Sequence, residues 1–544
     1  MRGLIMDQPL SIAALIRYAA QYHGDTEIVT RTVEGPVHRH TYRDAYARIQ
    51  QLANALKGLG VAPGDRVATL AWNGHRHFEL YYAIAGMGAV CHTVNPRLFP
   101  PQIEYILNHA EDAYVFLDLP FVPLLEAMSA RLKSVKGYVL MTDAAHRPAT
   151  KLPNVLVYEE LIAKEPAQFD WPALDEWTAS SLCYTSGTTG NPKGVLYTHR
   201  STVLHAFAIN SADSMGFTTR DAVMPIVPMF HVNAWGIPYG APMAGAKLVF
   251  PGPHMDPASL VDLIETEQVT MSAGVPTVWM KLCEHLEASN RRLPSLKRIL
   301  SGGSAVPEYL IQAFDEKYGI EVCHAWGMTE TSPVGTSGRL KAKQMKLPPD
   351  QRRRFKLSQG RPVFGMDFKA VDATGKELPH DGQAFGELCV RGPWVTGAYY
   401  RDDEANRVAF DREGWFRTGD VVTIDPDGWV RIVDRTKDVI KSGGEWISSI
   451  ELENAAVGHP EVQEAAAIAI PHPKWQERPL LVVVRKPGSA LTREALLDYL
   501  KAKVVKWAVP DDVEFVAELP HTATGKLLKS RLREDYKNHK LKTA

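Results

Sequence analysis

The chain has 544 residues, too many for one ordinary hydrophobic core, so two or more domains are expected. Its 61 basic and 62 acidic residues leave a formal charge of −1, which removes any global field towards nucleic acid or an anionic membrane. Five scattered cysteines (Cys91, Cys183, Cys283, Cys323, Cys389) form no metal-type pair, which argues for a reducing compartment and against a disulfide framework or zinc site.

The opening MRGLIMDQPLSIAALIRYAA has no long apolar run and no cleavage pattern, and reads as the start of a mature cytoplasmic chain. TYRDAYARIQQLANALKGLG (41–60) spaces its apolar residues for a helix and stops at a glycine. DRVATLAW reads as a strand, HFELYYAIAGMGA as a helix and VCHTVNP as a strand. VTMSAG, KRILSGG and EVCHAWG continue that alternation, which predicts α/β layering with largely parallel sheets. Residues 222–246 carry no formal charge with His231 neutral, yet Pro225, Pro228, Pro238 and Pro242 would break a membrane helix. Buried strands and loops are expected there, and no integral membrane span.

After about Pro362 the texture changes to short strand runs broken by turns, GELCVRG, GWFRTGD and DPDGWVRIVD, which predicts a β-rich subdomain. Beyond Lys437 a helix, two strands and a further helix predict a small α+β domain. The expected organisation is a large domain over 1–435 and a small one over 436–544, within the usual domain size range.

The chemistry centres first on YTSGTTGNPKG (184–194). Thr185, Ser186, Thr188 and Thr189 supply hydroxyls, Gly187 and Gly190 allow close backbone approach, and Lys193 adds a cation, all suited to anionic oxygens. A Walker A loop needs Gly-Lys-Ser/Thr four residues after its first glycine; here Pro192 stands in the way and Gly194 follows the lysine. ADP-forming P-loop chemistry is therefore disfavoured, and a flexible linker of similar composition stays open at this point. Apolar runs on both sides place the loop between two strands. HAWGMTE (324–330) sets an aromatic near a carboxylate, FRTGD (416–420) ends in an acid placed for ribose hydroxyls, and SGGS (301–304) offers glycines for a flat ring. Each alone reads more readily as a surface turn, since Gly and Asp commonly mark turns.

In this order they resemble the acyl-adenylate-forming superfamily of acyl-CoA synthetases, luciferases and peptide-synthetase adenylation domains. DRTKDVIKSGGEWIS (434–448) and PHTATGKLLK (520–529) match its later motifs, and the resemblance runs from about Leu10 to about Glu534. PMFHVNAWG and KSGGEWISS bring the chain nearest to bacterial medium-chain fatty-acid and 3-methylmercaptopropionate CoA ligases. The resemblance implies that the loop clamps nucleotide phosphate.

It also implies a two-step reaction. A carboxylate attacks the α-phosphorus of ATP to give acyl-AMP and pyrophosphate, and the CoA thiol then attacks the acyl carbon. Lys526 is assigned to the first step, with His231 beside the reacting carboxylate, although a lone histidine in an apolar run is more often a core residue. Thr185 and Glu330 match Mg²⁺ ligands, as a hydroxyl and a carboxylate suit a hard cation. Gly303, His324 and Ala325 match the adenine side, with Thr329 beside the carboxylate. Trp326 stands where relatives often have a stacking tyrosine. Asp420 and Arg435 match the ribose side, and Lys437 the hinge of the small domain. Lys441, Ser442, Gly443, Gly444 and Glu445 match the loop that helps to form the CoA tunnel, with Trp446 near the nucleotide.

Trp235, Gly302, Pro333 and Val334 match the acid pocket, and their mostly apolar character favours an aliphatic or methylthio acid over an amino acid. The alternatives are a long-chain ligase or an acyl-AMP ligase delivering to a carrier protein. A non-catalytic binder would have lost Lys526, Glu330 or the loop, and all are present. Some relatives pair as homodimers, so the resemblance carries that option too.

Overall fold

The computed structural model describes residues 1, 3–185, 191–443, 445–521 and 527–541, with the backbone alone at 445 and 446. Two large sheets hold the first 400 residues. In one, seven strands lie in the order Glu321–His324, Arg298–Ser301, Met271–Gly274, Ala222–Pro225, Lys247–Phe250, Glu27–Arg31 and Val37–Thr41, parallel except for the last pair. In the other, eight strands run Tyr399–Tyr400, Gly194–Thr198, Ala179–Tyr184, Val90–Thr93, Arg66–Leu70, Asp112–Leu117, Gly137–Leu140 and Val155–Val157. Only its first two junctions are antiparallel. Parallel sheets need cover on both faces. The largest buried cluster accordingly joins both sheets to the helices Ile12–Tyr22, Tyr42–Gly58, His75–Gly86 and Ile237–Ala244.

The helix expected over 41–60 forms as Tyr42–Gly58. Thr41 caps it by accepting from Asp44 N, while the Asp44 carboxylate accepts from Thr41 N at 2.9 Å. That reciprocal pair satisfies two orphan backbone donors. Gly60, at φ +78°, then turns the chain away.

The uncharged segment 222–246 departs from expectation. Its first residues form the strand Ala222–Pro225, but Ile237–Ala244 is a helix with Pro242 inside it. Proline tolerates that position because the carbonyl it leaves unbonded, Pro238 O, accepts instead from the Tyr82 hydroxyl at 2.7 Å.

A four-stranded antiparallel sheet follows: Asp367–Val371, Phe385–Arg391, Phe416–Ile424 and Val430–Arg435. The DPDG turn closes its last hairpin. Asp425 accepts from Asp427 N and Trp429 N, and Gly428 takes φ +83°. From Ile440 onwards a separate five-stranded sheet carries the helices Ser449–Val457 and Arg493–Lys501, with its own buried clusters. The fold is mixed α/β with a large N-terminal part and a small C-terminal one. The two parts are joined by Asp434, which accepts from Ser449 N at 2.6 Å, and by Ser448, whose hydroxyl donates to Val433 O. No helix among the described residues is long and apolar enough to cross a membrane.

Candidate active site

Strand ends build the site. Ile226, Val275, Gly302 and Ala325 are each the first residue beyond one of four parallel strands, and all four line a cavity of about 900 Å³. Thr185 does the same for the strand Ala179–Tyr184 of the other sheet. The carboxyl ends of parallel strands are where open α/β sheets bind ligands, because the chain there leaves the sheet and opens a crevice.

Sixteen of the residues singled out from the sequence face this one space: Thr185, Lys193, His231, Trp235, Gly302, Gly303, His324, Ala325, Trp326, Thr329, Glu330, Pro333, Val334, Asp420, Arg435 and Lys437. The phosphate loop leaves a tied base, since Thr185 N donates to Lys193 O at 2.9 Å and Lys193 N to Thr185 Oγ1 at 3.0 Å. Ser186, Gly187, Thr188, Thr189 and Gly190 lie outside the described residues, as do Gly444, Lys526 and the side chains of Glu445 and Trp446.

Lys441, Ser442 and Gly443 do not line the cavity. They belong to a hairpin on the C-terminal sheet, where Lys441 N donates to Glu477 at 2.7 Å and Gly443 N to Trp475 O at 2.8 Å. In this arrangement of the chain the described residues bordering the cavity from the C-terminal part instead fall in 450–457 and 463–465, with His521, Leu527 and Lys529.

Glu330 is nearly sealed from solvent, and burial pushes its carboxyl above the ordinary range, opposed by a 2.7 Å hydrogen bond from the Tyr399 hydroxyl. The Lys193 ammonium rests 4.9 Å over the same tyrosine ring. Tyr399 escaped the sequence reading, because a tyrosine pair in GAYYR carries no motif and becomes informative only when the edge strand Tyr399–Tyr400 pairs with Gly194–Thr198.

Asp420 is also buried. Its two oxygens accept from Trp326 Nε1 at 2.8 Å and pair with Arg435 Nε at 2.7 Å. The indole is thus fixed by its own donor, and Gly335 makes room beside it, since a Cβ there would lie 2.5 Å from the ring. His324 has 1% exposure, and burial lowers its imidazole to about 4, so it is neutral near pH 7. Lys437 is drawn down by burial, against the pull of Asp438. Lys193, Arg435 and Lys437 together give the wall a cationic side suited to a polyphosphate.

Another part of the lining, around Trp235, has a strained backbone. Val232, Asn233, Ala234 and Trp235 take φ from 48° to 57°, and Gly236 takes 77°. Left-handed non-glycine residues cost about 1–3 kcal/mol each and persist only where neighbours hold them. Here Asn233 Nδ2 donates to Ser181 Oγ at 3.1 Å, and Asn73 clamps the preceding loop through Pro225 O, Val227 O and Met229 N. The turn delivers Trp235 close to Gly302, where a Cβ would lie 3.2 Å from the indole. Met255, Val278, Met280 and Trp72 line the same cavity and were not singled out from the sequence, where single apolar residues in helices and loops look like core; Arg97 lines it too and carries no motif.

The family model for AMP-binding enzymes matches residues 16–400, and that for their C-terminal domain matches 451–526. The chain belongs to this family. Among AMP-binding enzymes, it is 51% identical over 538 residues to a 3-methylmercaptopropionyl-CoA ligase of Ruegeria lacuscaerulensis, covering 99% of each chain. It is 49% identical over 536 residues to a medium-chain-fatty-acid–CoA ligase of Ectopseudomonas oleovorans, covering 98% of each. The crystal structure of an anthranilate CoA ligase in complex with anthranoyl-AMP superposes with a TM-score of 0.85 at 26% identity, over 98% of both chains. In this AMP-binding enzyme the cationic and the apolar residues line one and the same cavity.

Proposed function

We propose that this protein is an AMP-forming acyl-CoA synthetase acting on a short- to medium-chain aliphatic or methylthio acid. The observation that carries the reading is the single strand-end cavity joining the Thr185–Lys193 loop base and Asp420 to the apolar wall of Trp235, Gly302, Pro333 and Val334. ATP would lie along the cationic side with its ribose at Asp420 and its adenine near His324 and Trp326. The acid would lie along the apolar side with its carboxylate near His231. The carboxylate would then displace pyrophosphate from the α-phosphorus, and exclusion of water would protect the acyl-AMP. The CoA thiol attacks the acyl carbon and AMP leaves.

The oxygen donors present suit Mg²⁺. Glu330 keeps one carboxylate oxygen beyond its Tyr399 bond, and the Thr185 hydroxyl keeps a lone pair. Those two residues would hold the cation, which neutralises phosphate charge when bound. Lys526 is assigned to adenylation by its motif. Residues 436–544 are read as a unit turning about Lys437, which would carry the Lys441–Glu445 loop to the cavity for the CoA step. The five cysteines, all free and buried, fit a cytoplasmic setting.

Pyrophosphate release by the purified protein with ATP, Mg²⁺ and CoA tests the reading, across saturated acids from acetate to palmitate, 3-methylmercaptopropionate, benzoate and several amino acids. CoA-dependent release peaking among the shorter aliphatic or methylthio acids is expected, and Lys526→Gln should abolish it. A peak at palmitate would select the long-chain alternative. Turnover that does not consume CoA and is sustained only when a carrier protein accepts the acyl group would select the other.

A further inference from the structure

The two walls of the acid pocket meet behind the cavity at one buried imidazole. His205 sits on the helix His199–Asn210 with 2% exposure, outside the cavity lining. Its Nε2 accepts from Val334 N at 3.1 Å. On its other side, a Cβ at Gly236 would lie 2.6 Å from Nδ1 and 2.7 Å from Cε1, so the left-handed turn that ends in Trp235–Gly236 rests directly on the ring. The Val334 carbonyl is held as well, by Trp394 Nε1 at 3.2 Å, and the Trp394 ring stands edge-on to His205 at 6.0 Å.

We propose that His205 is a positioning residue for acid selection: its ring fixes the spacing between the Trp235–Gly236 wall and the Pro333–Val334 wall. The inference rests on the reading of those walls as the acid pocket. A hydrogen bond pins one wall and van der Waals contact stops the other, so the ring acts as a spacer of set thickness. Close packing transmits such a thickness, because interiors leave few gaps into which a neighbour can move. Accepting from Val334 N requires an unprotonated Nε2, and burial keeps the ring neutral by pulling its pKa down to about 3. A shorter side chain frees Val334 N and lets both walls settle towards the helix, which widens the pocket. The acid profile then shifts towards longer or bulkier substrates, while ATP binding, built on Asp420 and the loop base, stays as it was.

Two substitutions separate the spacer from a general packing role. The carboxamide of His205→Gln reaches the place of Nε2 and can accept from Val334 N, whereas that of His205→Asn falls short of it. We would measure kcat/KM for acid-dependent AMP formation over a straight-chain series from acetate to palmitate, and KM for ATP, with both variants and the unaltered protein. For His205→Asn the expected result is a change of about tenfold or more in the preference between the best acid and one two methylenes longer, the size of discrimination that methylene-scale pocket changes carry. KM for ATP should be unchanged, and His205→Gln should keep the original profile. A uniform fall for every acid in His205→Asn, or equal profiles for the two variants, overturns the proposal. If the unaltered protein forms no AMP with any acid, it is the functional reading that has failed.

Discussion

Trp326 Nε1 donates to Asp420 at 2.8 Å, across 94 residues of sequence, and the other oxygen of that carboxylate pairs with Arg435. The aromatic assigned to the adenine and the acid assigned to the ribose are thus one rigid assembly. Removing the donor should matter more than removing the ring. Trp326→Phe keeps an aromatic face but leaves the buried carboxylate short of a partner. Losing a hydrogen bond to a charged group costs about 1.5–3 kcal/mol, so KM for ATP should rise about ten- to a hundredfold with KM for the acid little changed. Initial-rate kinetics with both substrates varied would check this, and an equal rise in both KM values would contradict it.

The Tyr399 hydroxyl donates to the Glu330 carboxylate at 2.7 Å, and that bond opposes the burial that raises the carboxyl. Tyr399→Phe removes the opposing bond, so the pKa of Glu330 rises further. Activity that needs the ionised carboxylate is lost as pH falls through that pKa. The acid limb of the pH–rate profile should therefore move to higher pH, and more Mg²⁺ should be needed for half-maximal rate. Unmoved Mg²⁺ and pH profiles would separate Glu330 from the cation.

Gly302 has no room for a methyl group: its Cβ would lie 2.7 Å from Ala325 O and 3.2 Å from the Trp235 ring. Contacts that close force a neighbour to move. Gly302→Ala should cut kcat/KM for the acid by about tenfold or more, in line with small volume changes in a fitted pocket. The cost should grow with acid length, which an acid series would reveal.

Burial lowers His40, His77, His199 and His324 to about 4, and His205 to about 3, so all are neutral in the folded protein near pH 7. In the unfolded chain they take up protons near 6.5. The unfolded state then binds more protons between that value and about 4, and stability must fall as pH drops through this window. Each histidine contributes up to about 1.4 kcal/mol per pH unit there. Urea midpoints should decline steadily from about pH 7 to about pH 5, well before ordinary carboxylates titrate. Constant midpoints over that range would mean the imidazoles are charged when folded.

Much of this protein was readable before any coordinates. Period and punctuation in 41–60, 65–96 and 414–434 specified helix, strand and turn, because capping and turn chemistry are local: Thr41 with Asp44, Asp425 with Gly428. The ordered motifs named the family, whose models match residues 16–400 and 451–526. Tertiary structure decided what depends on distant partners. Pro242 sits in a helix because Tyr82, 160 residues earlier, takes up the spare carbonyl of Pro238. Tyr399 reaches Glu330 only when an edge strand docks, and His205 spans two pocket walls from a helix that bears no motif. The residue types that a reaction requires are inscribed along the chain. The spacing between the walls that hold the substrate comes from side chains packed behind them, and that packing exists only once the sheets have closed together.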